Sequence, residues 1–475
     1  MKQLLNVQNI SGSLKAIENI HPRSWGMKIS AFVARNVHGY MNFNLSFNLN
    51  PTILVGPNGS GKTTAIRMIK ALLEPSLGDL LAISFTECAL LLHEGSREIT
   101  ISARKSSDVL SISCSDAQGM LEVSSSLLDE LGGDHFDSER LIEASRMLRM
   151  KYSDNAVLKA IIRLEVPMFL GLNRLAGSSI DGASIARHYE RSFDSQGMKS
   201  RQGRGVRDSL GVSLWEMQSL VTSAFRRVRS LKDAQSERLR RKLLLTGFKY
   251  ERAAEGNPYS INSPSAEDLL DQRAEIIAAL TEIGIEEADI KREINPFFER
   301  VFDLTSKLKH KRNPDEMDVE VVIELLLNKA SLRRLTDLAA SVREFNSKSE
   351  QLLSRFQSFV ACMNRFFDDS GKSVEIDAVG AIKVSRPDGS NVPLDALSSG
   401  ERQLLVMFGH VYFNSFGNRA NAFVIDEPEL SLHLRWQEVL VGEMVNSSSR
   451  AQLIIATHSP EIVGELVRHC VDMQS

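Results

Sequence analysis

A glycine-rich octapeptide at residues 56–63 constrains the fold of this chain more than any other feature of its sequence. The octapeptide reads GPNGSGKT and directly follows TILV, a short apolar run typical of a buried strand. After it, TTAIRMIKALLEP repeats its apolar residues at helical spacing. Strand, glycine-rich turn and helix in this order form a phosphate-binding loop, in which backbone N–H groups and the positive helix end face an anion. The sequence therefore predicts an α/β fold with an anion site where this strand ends.

The octapeptide matches the motif G-x-x-x-x-G-K-[ST] at each fixed position, which assigns a role to its last two residues. Lys62 is expected to reach the β- and γ-phosphates of a nucleotide, and the Thr63 hydroxyl is expected to ligate Mg²⁺. The competing interpretation is a chance glycine-rich turn, which the flanking strand and helix argue against. The predicted nucleotide-binding residues of this loop are Asn58, Gly59, Ser60, Gly61, Lys62, Thr63 and Thr64.

An acidic pair, Asp426 and Glu427, stands at the end of a second apolar run, AFVID. Hydrolysis of a phosphoanhydride needs one carboxylate to hold the metal and another beside the attacking water, and adjacent acids at a strand end can supply both. Asp426 is therefore predicted to bind the metal together with Thr63, and Glu427 to act as the catalytic base. An acidic pair after a strand is more often solvated surface, so this assignment depends on the phosphate-binding loop upstream.

The heptapeptide LSSGERQ at residues 397–403 resembles the LSGGQ/LSSGE signature of the ABC superfamily of ATPases. A helix that begins at such a serine-glycine pair points its positive end at a phosphate. In ABC ATPases this phosphate belongs to ATP bound on the opposite subunit. The resemblance thus implies ATP, Mg²⁺ and a homodimer closed through an ATP sandwich, with a higher oligomer as an extension. The residues that it assigns to nucleotide binding are Ser398, Ser399, Gly400 and Glu401, for which a plain helix cap is the alternative.

The segment ATHSPEIV carries a histidine, His458, where ABC heads have a switch histidine. The resemblance implies that His458 contacts the γ-phosphate and orients the attacking water, as the second catalytic residue beside Glu427. A lone histidine after a strand is more often structural, so the inference depends on the ordered series Lys62, Ser399, Glu427, His458. ELSLH at residues 429–433 occupies the place of the D-loop of this superfamily.

Within the ABC superfamily, LSSGERQLL and DEPELSLH are similar to segments of the SMC, RecF and OLD group, above all of PtuA-type (Septu) and AriA-type (PARIS) antiphage ATPases. The run VPMFLGLNR resembles a PtuA-like strand that ends in arginine, which makes Arg174 a candidate sensor near the nucleotide. Two features depart from the pattern. No glutamine can be assigned to the Q-loop, and Leu434 stands where a proline is usual.

This resemblance implies an ATPase and sensor subunit of an antiphage defence system that controls a separate effector nuclease of HNH or TOPRIM type. Only 17 residues follow His458, too few for a TOPRIM domain, and the histidines form no HNH cluster, so no intrinsic nuclease is expected. Two alternatives stay open. One is a RecF-like ATPase of DNA repair and recombination, and the other is an ATPase that regulates a toxin without a nucleic-acid role.

The expected fold class is an α/β ABC ATPase head, with a mainly parallel sheet flanked by helices and an antiparallel β subdomain. Strand-like alternation begins at Met27 and returns at residues 79–115, and helical spacing follows from about residue 125. The apolar spacing of Leu269, Ile276, Leu280 and Ile283 predicts a short coiled-coil hairpin. The predicted domains are an N-terminal extension (1–26), the first part of the head (27–124), a helical insertion (125–369) and the second part of the head (370–475).

Charge is unevenly distributed although the net charge is only −3. Residues 226–249 contain nine basic residues against two acids, a pattern that fits either a DNA backbone or a solvated helix face. The neighbours Phe225, Phe248 and Tyr250 are candidates for stacking on bases. Neither a signal peptide nor a membrane-length apolar run is present, and the four cysteines form no CxxC pair. These observations predict a cytoplasmic protein with reduced, mostly buried thiols and no membrane partner.

Overall fold

The computed structural model of the chain describes residues 26–49, 51–124, 138–171, 209–247, 273–282, 319–413, 421–447 and 451–473, with a few positions between 288 and 303. Contacts divide the chain into two compact units. The first combines residues 1–224 with residues 358–475, and the second comprises residues 225–357. The phosphate-binding loop, the LSSGERQ segment, the acidic pair and His458 all belong to the first unit.

The strands of the described residues form three sheets. The parallel sheet has the order β14-β3-β13-β12-β8, the antiparallel sheet β2-β1-β4-β5-β6-β7, and a small antiparallel sheet β11-β10-β9. Their bounds are β1 Lys28–Val37, β2 Met41–Ser46, β3 Thr52–Val55, β4 Glu87–Glu94, β5 Arg97–Lys105, β6 Val109–Cys114, β7 Leu121–Ser124, β8 Met168–Leu170, β9 Ser373–Ile376, β10 Ile382–Ser385, β11 Asn391–Val392, β12 Ala422–Asp426, β13 Gln452–Ala456 and β14 Cys470–Asp472.

The parallel sheet brings the two apolar runs of the sequence to one edge. Strand β13 lies between β3 and β12, with Ile455 opposite Ile53 on one side and Ile425 on the other. Every residue of β12 and β13 is buried, as expected for parallel strands that are covered on both faces. Because the strands run the same way, the loop after β3, the acids after β12 and the segment after β13 meet at their carboxyl ends.

The helices include one that directly follows the phosphate-binding loop. This first helix buries an apolar face that includes Ile66, Ile69 and Leu72, in the cluster that also holds Val424 and Ile454 of the parallel sheet. The helices are α1 Lys62–Leu73, α2 Leu77–Ala82, α3 Ser138–Lys151, α4 Ala156–Ile162, α5 Ser209–Gly247, α6 Arg273–Glu282, α7 Val319–Phe367, α8 Ser399–Phe413, α9 Leu434–Ser447 and α10 Pro460–Val463.

The predicted fold class is confirmed, because a parallel sheet with helices and an antiparallel sheet are both present in the first unit. One boundary was wrong. Strand-like structure was expected from residue 79, whereas residues Leu77–Ala82 form helix α2 and β4 begins at Glu87. The physical reason is the helical spacing of Leu77, Leu80 and Leu81, which are all buried in one core.

The second unit is helical in the residues described. It contains α5 from Phe225 onward, α6, and α7 up to residue 357. The rings of Phe225 and Phe356 meet edge to face with their centroids 5.5 Å apart, and Phe345 is also buried. Of the hairpin residues, Ile276 and Leu280 lie in α6, whereas Leu269 and Ile283 lie outside the described residues. The coiled-coil hairpin and the four domain boundaries therefore stay predictions.

The four cysteines are free thiols, as the spacing of the cysteines predicted. Burial raises the pKa of Cys88 and of Cys362 to about 12, which keeps both thiols protonated and unreactive at neutral pH. No helix within the described ranges is long and apolar enough to cross a membrane.

Candidate nucleotide-binding site

The phosphate-binding loop connects β3 to α1 through two glycines with left-handed backbone conformations. Gly59 has φ 82° and Gly61 has φ 90°, and the backbone of a residue with a Cβ rarely adopts such values. A Cβ on Gly61 would also lie 2.6 Å from Cζ of Phe43. Position 61 thus requires glycine for two reasons, its φ angle and the close approach of the Phe43 ring.

Lys62 lies inside the loop and is only 4% exposed. Its Nζ donates hydrogen bonds to the carbonyl oxygens of Gly56 (2.7 Å) and Pro57 (3.3 Å). Burial lowers the pKa of Lys62, and the negative charges of Glu427, Asp426 and Glu429 oppose this effect. A cation held by backbone carbonyls at the mouth of a glycine loop can transfer its hydrogen bonds to a phosphate.

Asp426 ends strand β12 and is 6% exposed. Burial raises the pKa of its carboxyl group, as do the charges of Glu427 and Glu429, while a hydrogen bond from Thr63 and the charge of Lys62 lower it. Its Oδ1 is buried and has no hydrogen-bond partner among the described residues. A buried carboxylate oxygen with spare capacity beside a hydroxyl is a set of hard donors that suits Mg²⁺.

The rest of a Mg²⁺ shell has to come from elsewhere. The described residues contain no group of three or more histidines, cysteines and acids that could hold a metal by themselves. Mg²⁺ commonly keeps several waters and binds one or two protein oxygens together with substrate phosphates. The pair Thr63 and Asp426 fits that mode of binding.

Glu427 directly follows β12 with a left-handed backbone, φ 49°. Its N–H donates to the carbonyl of Ala456 on the neighbouring strand at 2.9 Å, which extends the ladder by one residue. A left-handed conformation costs a residue with a Cβ about 1–2 kcal/mol. Such strain commonly occurs at functional sites, and here it fixes a half-exposed carboxylate at the edge of the sheet.

His458 lies between Lys62 and Glu427. Its Nδ1 is 3.1 Å from Nζ of Lys62, and its Nε2 is 3.7 Å from Oε1 of Glu427. When Lys62 is protonated it has only N–H donors, so Nδ1 accepts and the ring proton is on Nε2, facing Glu427. The structure thus brings together Lys62, Glu427 and His458, although Lys62 and His458 are 396 positions apart in the sequence.

The LSSGERQ segment forms the N-terminus of α8 through a capping box. The Ser398 hydroxyl accepts from the N–H of Glu401 (3.3 Å), and the Glu401 carboxylate accepts from the N–H of Ser398 (2.9 Å). Ser398 and Ser399 are exposed, whereas Gly400 is buried. A Cβ on Gly400 would lie 2.4 Å from the carbonyl oxygen of Ser431, so no other residue fits without movement.

Glu401 has partners within its own chain. Its side chain is bound by Nζ of Lys372 at 2.7 and 2.9 Å and by the Ser370 hydroxyl at 3.1 Å. Burial by itself raises the pKa of Glu401, but the hydrogen bonds from Lys372, Ser398 and Ser370 outweigh burial and the net pKa is lowered. Contact of Glu401 with a nucleotide stays a prediction. The S-x-x-E pattern of Ser398 and Glu401 is the sequence signal by which its capping role is recognised.

The tip of α8 packs against the turn that follows the acidic pair. Nε2 of Gln403 donates to the carbonyl of Pro428 at 3.1 Å, beside the contact between Gly400 and Ser431. Ser399, Asp426 and Glu427 line one small cavity of about 60 Å³ in this region. Neither Gln403 nor Glu429, described below, was among the predicted site residues. Arg174 was predicted as a sensor but lies outside the described residues.

The chain shows a remote similarity to curated proteins and to solved SMC structures, among which are the following. It is 24% identical over 186 residues to the "Retron Vc95 probable ATPase" of Vibrio cholerae serotype O1 biovar El Tor, a match covering 35% of each protein. It also matches the Smc head domain of Pyrococcus furiosus, solved with an extended coiled coil and bound to the C-terminal domain of ScpA. This match has a TM-score of 0.37 and 15% identity, and it covers 92% of this chain and 91% of that chain. For the Pyrococcus yayanosii Smc head with coiled coil and joint, the values are 0.34, 14%, 92% and 93%.

A family model matches residues 225–464, half of the chain. Its description is "AAA domain, putative AbiEii toxin, Type IV TA system". The matched range contains the tip of α8, the acidic pair and His458, and the phosphate-binding loop precedes it. The family and the retron relative support an ATPase. The chain therefore belongs to the family of AAA-domain proteins with that description.

Proposed function

We propose that the chain hydrolyses Mg-ATP at the edge of the parallel sheet, between two copies of itself. The observation that carries the proposal is the convergence of Lys62, His458 and Glu427, with separations of 3.1 and 3.7 Å between their polar atoms. Phosphoryl transfer to water requires a phosphate-binding cation, a base and a group that orients the water. These three side chains, together with the glycine loop, supply that set.

Each residue has a stated part in the proposed reaction. The N–H groups of residues 58–64 and Nζ of Lys62 hold the phosphates of ATP, and Glu427 takes a proton from the attacking water. His458 contacts the γ-phosphate and orients this water. Mg²⁺, held by Thr63 and Asp426, would neutralise charge on the phosphates.

A second copy of the chain is proposed to complete the site. The exposed Ser398 and Ser399 and the N–H of Gly400 form the positive end of α8, a helix of 15 residues. Directed at a γ-phosphate held by another protomer, this end would stabilise the closed dimer. A higher oligomer built from such dimers is compatible with the same contacts.

The proposed biological role is that of a cytoplasmic ATPase and sensor subunit of an antiphage defence system, acting with a separate HNH or TOPRIM effector nuclease. The retron relative supports the ATPase part of this role, because it is named as a probable ATPase; the defence part rests on the resemblance of LSSGERQLL and DEPELSLH to antiphage ATPases. A toxin regulator without a nucleic-acid role is the second candidate, favoured by the family description. A RecF-like repair ATPase is the third. The genes adjacent to this one distinguish the three roles.

Lys62→Ala is expected to abolish phosphate release from ATP by the purified chain. The substitution removes the cation that bridges the loop to the β- and γ-phosphates. Release of inorganic phosphate and binding of a fluorescent ATP analogue are measured for both proteins. Arg67→Ala, at an exposed basic position of the same helix, is the control and is expected to keep parental activity. Full activity of the Lys62 variant would remove this loop from the proposed site.

DNA is a further proposed partner, through the basic segment at residues 226–249. Arg226, Arg227, Arg229, Arg238, Arg240 and Arg241 are all exposed along α5. Lys249, Phe248 and Tyr250 lie outside the described residues. Linear duplex DNA is the probe for this surface.

Replacing Arg238, Arg240 and Arg241 with Glu is expected to weaken DNA binding and to lower the slope of log affinity against log salt by about 3, if each contacts one phosphate. Arg343→Glu, at an exposed position of α7 in the same unit, is compared with each single substitution Arg238→Glu, Arg240→Glu and Arg241→Glu, because all four single variants change the charge equally. Unchanged affinity and slope in the triple variant would identify this segment as solvated surface.

A further inference from the structure

The turn after the acidic pair and the segment after β13 are joined by the side chain of Glu429. Its Oε1 accepts hydrogen bonds from the hydroxyl of Thr457 (2.8 Å) and from the main-chain N–H of His458 (2.7 Å). Both donors belong to the short stretch between β13 and α10 that carries the His458 ring. One oxygen atom thus holds the backbone of the residue proposed to face the γ-phosphate.

Other hydrogen bonds also fix this stretch. The N–H of Thr457 donates to the carbonyl of Leu54 (3.2 Å), and the N–H of Ser459 donates to the Thr457 hydroxyl (3.0 Å). The Thr457 hydroxyl therefore accepts from Ser459 while it donates to Glu429. Removal of the Glu429 carboxylate would leave the N–H of His458 without its acceptor. It would also release the Thr457 hydroxyl, which accepts from the N–H of Ser459.

A second side chain connects the same two segments. Nε2 of Gln437 donates to the carbonyl of Leu432 (2.9 Å), and its Oε1 accepts from the Ser459 hydroxyl (2.7 Å). Gln437 is buried at the start of α9. Because Glu429 and Gln437 bind on either side of His458, the two segments are expected to move as one body.

We propose that Glu429 is a positioning residue that sets the His458 ring between Lys62 and Glu427. Its contribution is acceptance of two hydrogen bonds by Oε1, since Oε2 is buried and has no hydrogen-bond partner in the described part of the chain. The inference rests on the proposed function, because His458 must take part in ATP hydrolysis for its position to affect the rate. An amide oxygen can accept the same two bonds, so the neutral isostere should preserve the position.

The kinetic test compares Glu429→Ala, Glu429→Gln and the control Glu438→Ala, an exposed glutamate on α9. Glu429→Ala is expected to lower kcat about 10- to 100-fold with little change in KM for ATP, the size of effect that a misplacement of about 1 Å produces. Glu429→Gln should stay within about threefold of the parental kcat. An equal loss of kcat in Glu429→Ala and Glu429→Gln would overturn the proposal. The negative charge of Glu429, rather than its acceptance of hydrogen bonds, would then determine the rate.

A double-mutant cycle separates positioning from an independent role. In a His458→Ala background, Glu429→Ala is expected to have almost no further effect on kcat, since residues that act as one unit are not additive. If the double variant instead lost kcat by the product of the two single-variant factors, the proposal would be overturned. A parental rate in His458→Ala would instead contradict the proposed function, and the measurement on nucleotide-free protein would still decide whether the contact exists.

That measurement is amide hydrogen exchange of protein labelled with ¹⁵N-histidine, which has ten histidine amides. The His458 signal is assigned by its loss in His458→Ala. Protection of this amide is expected in the parental protein and in Glu429→Gln, and fast exchange in Glu429→Ala. Unchanged protection in Glu429→Ala would show that Glu429 does not hold the His458 backbone.

Discussion

Glu427→Gln is expected to lower the rate of ATP hydrolysis by about 10²- to 10⁴-fold while ATP still binds. The amide keeps the size of the side chain but cannot take a proton from water. Lys62 and the loop remain intact, so the affinity for ATP should change little. Phosphate release and the mass of the particle in solution are measured with and without ATP, and the variant is expected to accumulate as an ATP-bound dimer.

The position of Glu427 lets this substitution test the catalytic base separately from folding. Its carboxylate lies 3.7 Å from Nε2 of His458, and its backbone has the left-handed φ of 49°. Gln tolerates this conformation no worse than Glu, so folding is unaffected. Glu438→Gln on the exposed face of α9 is the control. Hydrolysis at the parental rate would disprove the assignment of the base, and a monomer with bound ATP would disprove the dimer.

A mixture of two inactive variants is expected to recover activity that neither has alone. Lys62→Ala impairs the phosphate-binding loop and leaves the tip of α8 intact. Ser399→Arg places a large cation at that exposed tip and leaves the loop intact. In a mixed dimer, the intact loop of one protomer meets the intact tip of the other, so one of two sites is restored. About a quarter of the parental activity is expected in an equimolar mixture, when dimers form at random and the sites act independently.

The outcome separates a composite site from one completed within a single chain. The cavity that Ser399 shares with Asp426 and Glu427 shows that the tip also lies near the acids of its own chain. If that arrangement were the working one, mixing would restore nothing, because each chain would keep its own defect. Mixing Lys62→Ala with Lys62→Ala, Ser399→Arg doubly substituted protein is the control, since no combination of these two chains has an intact loop.

The motifs and the fold class could be predicted because each depends on local pattern. TILV and AFVID read as buried parallel strands, since continuous apolar runs are what a sheet covered on both faces requires. The glycine-rich turn between strand and helix was expected at residues 56–63, and Gly59 and Gly61 adopt positive φ there. The error at residues 79–82 arose because the expected strand began inside a short leucine-rich stretch, in which Leu77, Leu80 and Leu81 have helical spacing and are buried.

Partners distant in sequence could not be predicted in this way. The S-x-x-E pattern predicts the capping box of Ser398 and Glu401, but nothing local indicates that Lys372 neutralises the Glu401 carboxylate. In the same way, Glu429 reads as one acid among several in DEPELSLH. Its bond to the N–H of His458 exists only because β12 and β13 pair in register and bring their ends together.

By itself the sequence determined the phosphate-binding loop, the acidic pair and the order of the motifs, because backbone conformation and strand burial follow from neighbouring residues. Tertiary structure alone decided which side chains face each other: Lys62 with His458, Glu429 with the His458 backbone, and Gly61 with Phe43. The physical reason is that hydrogen bonds act over about 3 Å, whereas these partners are brought to that distance only by strand pairing and core packing.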